Sequence, residues 1–153
     1  MKFLDNRIPP PVLVLLFGAV MWGPAMLPPP LPIGRGPRIA IGLAVTALGL
    51  FVLASAFLAF RKARTTIDPV NIHRASSLVT AGIFRLSRNP MYVGFASMLL
   101  GWAIALGGAW ALVGPAVFVL YITRFQIAPE ERVMRERFGA AYAAYCTRTR
   151  RWL

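Results

Sequence analysis

The chain has 153 residues, room for about one domain, and 58% of them are apolar while only 14% are charged. Soluble domains carry roughly 45–50% apolar and about 25% charged residues, so this surplus points to a bilayer rather than a soluble core. The net charge is +12, but the basic residues lie between and after apolar runs, which the positive-inside rule and anionic lipid headgroups explain better than a nucleic-acid surface.

The N-terminal "MKFLDNRIPPP" is polar and proline-rich and has no cleavable signal pattern. The apolar run Val12 to Leu27 follows and reads as a short membrane anchor that Pro24 should kink or end early. "PPPLPIGRGPR" is expected to be a tight non-helical connector. Ile39 to Phe60 has no charge and is the clearest transmembrane helix. Its Gly42, Gly49, Ala54 and Ala56 offer small faces for close helix packing, within the chain or in an oligomer.

Arg61 to Asn89 is a long polar stretch holding Arg61, Lys62, Arg64, Arg74, Arg85 and Arg88, and long loops are often functional. Within it "SSLVTAGIF" should lie extended or form a surface turn. The third apolar run, Met91 to Leu106, starts just after Pro90, a residue suited to a first helical turn. Gly107-Gly108 joins it to the fourth, Ala109 to Phe125, as a helical hairpin. In the tail from Pro129, Val133, Met134, Phe138, Ala141, Tyr142 and Tyr145 fall near helical spacing, which predicts an amphipathic surface helix.

The expected fold is therefore an all-α integral membrane protein with about four transmembrane helices and a C-terminal amphipathic helix. It forms one domain over 1–153: membrane helices to 60, a cytoplasmic loop over 61–90, then the hairpin and tail over 91–153. The basic loop and tail should both be cytoplasmic, with Arg35 and Arg38 on the other side, so the chain is expected in a bacterial inner membrane with both termini cytoplasmic. This topology brings the loop and the tail to one membrane face.

Chemistry is sparse. With one cysteine, Cys146, and one histidine, His73, neither an internal disulfide nor a usual zinc site can form. The acids Asp5, Asp68, Glu130, Glu131 and Glu136 supply an oxygen-ligand metal site poorly. His73 reads as a loop residue and Cys146 as an incidental thiol. Glu130-Glu131 after Pro129 suits the acidic first turn of a helix. A carboxylate there could also accept two hydrogen bonds from a ribose diol. Arg88-Asn89 could then hold the charged end of the same ligand, and Phe84, Tyr92 and Phe138 offer aromatic faces.

The ordered set Leu78-Val79-Thr80-Ala81-Gly82-Ile83-Phe84, Arg88-Asn89-Pro90-Met91-Tyr92-Val93-Gly94, Glu130-Glu131 and Phe138-Gly139-Ala140-Ala141-Tyr142 with Tyr145 resembles the isoprenylcysteine carboxyl methyltransferase-like membrane methyltransferases. Phospholipid methyltransferases share much of this plan. The resemblance covers roughly Ser76 to the C-terminus. It implies S-adenosylmethionine bound at the cytoplasmic face by Leu78, Val79, Phe84, Asn89, Pro90, Met91, Tyr92 and Glu130. It also implies a lipophilic methyl acceptor entering sideways from the bilayer, near Gln126 and Arg124. Asn89 replaces the family histidine, Phe84 its tyrosine and Gln126 an arginine. Glutamine lacks the charged fork suited to a carboxylate, which argues against a prenylcysteine carboxylate as acceptor. The expected function is methyl transfer to a membrane-embedded acceptor that the sequence does not name. The alternatives are a non-catalytic membrane subunit or lipid-binding protein, and a nicotinamide-dependent membrane reductase.

Overall fold

A computed structural model describes residues 7–63 and 78–153. The expectations for Asp5, Asp68, His73, Arg64, Arg74 and the start of "SSLVTAGIF" lie outside those residues. Among the described residues the chain is all-helical. The α-helices are α1 (Pro10–Val20), α2 (Trp22–Ala25), α3 (Arg35–Lys62), α4 (Pro90–Leu106), α5 (Val113–Ile122) and α6 (Ala128–Arg148). Short 3-10 turns cover Gly82–Arg85 and Ala109–Leu112, and a π-helical turn covers Thr123–Ile127.

Proline sets the first boundaries. Pro10 fits the first turn of α1, where its missing N–H is not needed. The first apolar run breaks after Val20 and ends with the single turn of α2 around Pro24. The connector is shorter than its composition suggests. Helix α3 already begins at Arg35, because Pro37 falls within its first turn, where proline is tolerated. At the other end α3 runs past Phe60 to Lys62, and Arg61 and Lys62 complement the carbonyl end of the helix dipole.

Helix α3 has 28 residues, or about 42 Å at 1.5 Å per residue, and packs chiefly along α4. Gly42, Gly49 and Ala56 recur every seven residues and are buried on one face of α3. Gly42 meets Gly101 and Gly49 meets Gly94 of α4, again seven apart, in an antiparallel pair. A Cβ on Gly42 would sit 2.6 Å from the Gly101 carbonyl oxygen, and one on Gly49 would sit 2.7 Å from that of Gly94. Ala54, grouped with these residues by composition, is exposed. The small-residue face is thus consumed inside the chain, not offered to a second copy.

Gly107 ends α4 with φ 82°, a left-handed conformation that favours glycine. Its carbonyl accepts from Leu31 N at 2.8 Å, and Ala109 N donates to Pro29 O at 3.1 Å, so the hairpin bend is tied to the α2–α3 connector. Phe118, Ile122, Ile127, Leu99, Ala103 and Ala111 form the fully buried core, with Phe17 edge-on to Phe118 at 5.5 Å.

The outer surface is apolar. Leu15, Val20, Leu43, Phe51, Leu58 and Leu120 are each more than 60% exposed. Two helical stretches, Arg35–Lys62 and Ala109–Arg148, are long and apolar enough to cross a membrane by length and composition. Only 11% of the most apolar window in the first is buried, so it is not the core helix of a water-soluble domain.

The tail differs from its expectation. It is not a separate surface helix, since α5, the π turn and α6 follow without a break. Pro129 has no N–H to continue an α ladder, and the π turn directly before it accommodates the interruption. The helix kinks instead at Gly139 (φ 45°, ψ −120°). Tyr142 and Tyr145 are buried, Val133, Met134 and Phe138 are half-buried, and Ala141 is exposed.

Replacing Gly49 with Ala should cost about 1–3 kcal/mol through overpacking against the α4 backbone, whereas Ala54→Leu should leave stability nearly unchanged. Thermal midpoints of the two detergent-solubilised variants check this, and equal midpoints would refute the close α3–α4 contact.

Candidate functional site

The start of α4, the first turn of α6 and the segment after Arg148 meet at one end of the bundle. Their centre is Glu131, whose side chain is 8% exposed. Arg151 grips it with two bonds, Nε to Oε1 at 3.0 Å and a terminal nitrogen to Oε2 at 2.7 Å. Arg88 donates to Oε1 at 3.0 Å, and Arg135, one turn along α6, approaches Oε2 at 3.9 Å. Burial pushes the Glu131 carboxyl up, but the hydrogen bonds and charges of Arg151 and Arg88 outweigh it and hold the group below the usual carboxylate range.

Arg88 is shared further. Its guanidinium donates to the carbonyl oxygens of Cys146 (3.2 Å) and Thr149 (2.7 Å), and its backbone N–H donates to Arg150 O (2.9 Å). Asn89 Nδ2 and Ser87 Oγ both donate to Arg151 O, at 2.9 and 3.3 Å. Trp152 Nε1 reaches Thr123 Oγ1 at 3.2 Å. The chain end is thereby laced across the entry to α4. Sequence reading missed this role of Arg151 and Glu131, although the scarcity of acids was a signal that each carboxylate would be contested. Arg88, expected to hold the charged end of a ligand, is instead engaged within the protein.

Glu130 lies in a different environment. Tyr92 Oη donates to its Oε1 at 2.6 Å, joining the first turn of α4 to that of α6. Glu130 lies beyond the apolar stretch 109–127. It is half-buried by surface area, yet its carboxyl sits deep among neighbouring atoms. Burial pushes that carboxyl up to about 7, with the Tyr92 bond pulling down and the Glu131 charge adding to the rise. The dipole explanation for Glu130-Glu131 weakens here, because α6 continues the π turn and has no free N-terminus.

The other expected residues divide. Pro90 and Tyr92 are buried, and Met91 and Asn89 half-buried, at the same α4 entry. Leu78 and Val79 are half-buried just before the 3-10 turn. Phe84 in that turn is buried, stacks edge-on to Phe60 at 5.0 Å, and gives its carbonyl to Tyr145 Oη at 2.7 Å. Burial pushes the Tyr145 hydroxyl up to about 12, so it remains a donor. Gln126 and Arg124 do not share a face. Arg124 is exposed over the Phe125 ring at 5.3 Å, while Gln126 is fully buried. Gln126 Nε2 donates to Ile8 O at 2.9 Å, which leaves its Oε1 buried without a hydrogen-bond partner. Beside the 3-10 turn lies a cleft of about 360 Å³ lined by Thr80, Ala81, Arg85, Tyr145, Arg148 and Thr149. No group of three or more potential metal ligands occurs among the described residues.

Arg88→Met leaves Glu131 short of a partner and frees two carbonyls, and should cost about 3–5 kcal/mol. Because Glu131 titrates low in the folded protein, its stabilisation is present above the ordinary value of 4.5 and fades as pH falls through the lower folded value. Thermal melts at pH 3 to 7 should show that acid loss in the unaltered protein and a shallower slope in Arg88→Met. Parallel slopes would remove Glu131 from the clamp.

Comparison with known proteins bears on these elements together. The family model for phospholipid methyltransferase matches residues 37–141, more than half of the chain. Protein-S-isoprenylcysteine O-methyltransferase A of Arabidopsis thaliana is 29% identical over 104 residues, 68% of this chain and 53% of its own length. A probable protein-S-isoprenylcysteine O-methyltransferase of Oryza sativa subsp. indica is 28% identical over 108 residues, 69% of this chain and 55% of its own. An uncharacterized protein of Haemophilus influenzae is 41% identical over 63 residues, which are 41% of this chain and all of that protein. The chain spans about half the length of the isoprenylcysteine methyltransferases it matches. No solved structure matches. The matched segment runs from the α3–α4 glycine contact through the Tyr92–Glu130 bond to the Gly139 kink, and on that basis the chain belongs to the phospholipid methyltransferase family, with isoprenylcysteine O-methyltransferases among its relatives.

Proposed function

We propose that this protein is an integral membrane enzyme that transfers a methyl group from S-adenosylmethionine to a small lipophilic acceptor. The observation that carries the proposal is the 2.6 Å Tyr92–Glu130 bond, which joins two separate family motifs, one on α4 and one on α6. The exposed apolar flanks support burial in lipid, with four spans formed by the first apolar run, α3, α4 and the 109–127 stretch. The basic ends at Lys62, Arg85 and Arg148 then face the cytoplasm, as do both termini.

The residues present fit the cofactor. Among the described residues Glu130 is bonded by Tyr92 and not by an arginine, and its carboxylate can accept from a ribose diol. Tyr92 fixes the orientation of that carboxylate. Leu78, Val79, Phe84, Pro90 and Met91 supply apolar walls, and Asn89 holds the α4 entry against the chain end. When bound, the sulfonium supplies an activated methyl group. The protein's part is to align the acceptor with it and to exclude water, which requires no catalytic dyad. Gln126 and Arg124 are the residues proposed to meet the acceptor, with Gln126 offering its unpaired buried oxygen to a hydrogen-bond donor.

Purified protein incubated with methyl-labelled S-adenosylmethionine and a bacterial lipid extract should yield labelled apolar product. Absence of label from protein that still binds S-adenosylhomocysteine would favour a non-catalytic role. With the Glu130 carboxyl near 7, the ionised acceptor form grows as pH rises. Affinity for S-adenosylhomocysteine should therefore increase about tenfold between pH 6 and 8, and Glu130→Ala should weaken binding and flatten the profile. A profile unchanged by the substitution would assign the titration elsewhere.

A further inference from the structure

The cofactor's amino-acid end carries a carboxylate, and the residue that the sequence offers for it, Arg88, is spent on Glu131 and two carbonyls. Two other arginines line the cleft of about 360 Å³, Arg85 on the 3-10 turn and Arg148 at the end of α6. Among the described residues neither has a carboxylate partner. Arg148 Nε donates to Ala144 O at 3.2 Å, and no hydrogen bond within the described protein uses its terminal amino groups. No acid lines the cleft, and of the two adjacent glutamates at this end of the bundle Glu131 is held by arginines and Glu130 by Tyr92. Two guanidiniums lining one cleft that no described acid shares suit an oxyanion ligand.

The cleft's lining residues also adjoin or bond to residues already proposed to meet the cofactor. Thr80 and Ala81 follow Leu78-Val79 directly. Tyr145 bonds to the Phe84 carbonyl, and Thr149, whose carbonyl Arg88 holds, also lines the cleft. The Thr80 and Thr149 hydroxyls add acceptors suited to an ammonium group. Resting on the proposed use of S-adenosylmethionine, we infer that Arg85 and Arg148 bind the carboxylate of its amino-acid end, while Glu130 takes the ribose. Arg85 and Arg148 are thereby cofactor-binding residues, and they favour the intact amino acid over analogues without the carboxylate.

The test is calorimetry with two ligands, S-adenosylhomocysteine and its decarboxylated analogue, which keeps the adenosine and the amino group. Both arginines are solvent-exposed, so the double variant Arg85→Gln/Arg148→Gln should fold, and its thermal midpoint is recorded alongside. It should lose about tenfold or more in affinity for S-adenosylhomocysteine and less than twofold for the analogue. The Arg85→Lys/Arg148→Lys pair, which keeps charge without the planar fork, should fall between. Equal losses for both ligands, or no loss for either, would overturn the carboxylate site while leaving the proposed methyl donor intact. Failure of the unaltered protein to bind either ligand would overturn both.

Discussion

One buried carboxylate holds this end of the molecule together. Glu131 is almost sealed from solvent, and a lone ionised acid in such a place would be strongly unfavourable. It is tolerated because Arg88, Arg151 and Arg135 converge on it from the start of α4, the chain end and α6. Removing one partner from such a cluster is costly, because the charge left behind has no water to turn to. The same guanidiniums and neighbouring polar groups tie the carbonyls of residues 146 and 149–151 across the α4 entry. Asn89 Nδ2, Ser87 Oγ and the Arg88 N–H add bonds to the same segment, and Trp152 ties its end to Thr123.

The clamp explains why adjacent glutamates behave differently. Successive positions on a helix point about 100° apart, so Glu131 faces the arginines while Glu130 faces Tyr92. One carboxyl is held low by hydrogen bonds and positive charge, and the other is pushed up to about 7 by burial. Two acids of identical chemistry are thus divided between cohesion and an environment suited to ligand contact. The π turn at Thr123–Ile127 contributes by carrying the helix past Pro129 without a break, which fixes Glu130 and Glu131 relative to the membrane-length stretch before them.

Much of the fold was legible in the chain itself. Long uncharged runs marked α3 and α4, Pro24 marked the early end of the first run, and Gly107-Gly108 marked the hairpin bend. The seven-residue recurrence of Gly42 and Gly49 was visible, but its partner was not, since only three-dimensional packing brings Gly94 and Gly101 opposite. Of the site, the meeting of the α4 entry with Glu130 followed from topology and motif order. The arginine clamp did not follow, because an ion pair between positions 88, 131 and 151 has no local sequence signature. Gln126 was expected beside an acceptor from the resemblance alone, and its bond to the Ile8 carbonyl depends on the N-terminal segment packing back over the α5–α6 junction. Pro129 misled for a physical reason: it normally opens a helix, and here a π turn lets the helix run through it.

The division between the two glutamates is open to one direct measurement, made on Glu130→Gln and Glu131→Gln side by side. Each detergent-solubilised variant is assayed for thermal midpoint and for S-adenosylhomocysteine affinity in the same buffer at pH 8. A cohesive Glu131 and a ligand-facing Glu130 predict that Glu131→Gln lowers the midpoint sharply, while Glu130→Gln keeps or raises the midpoint and loses affinity. The reverse pattern, with Glu130→Gln unfolding and Glu131→Gln stable but unable to bind, would contradict it.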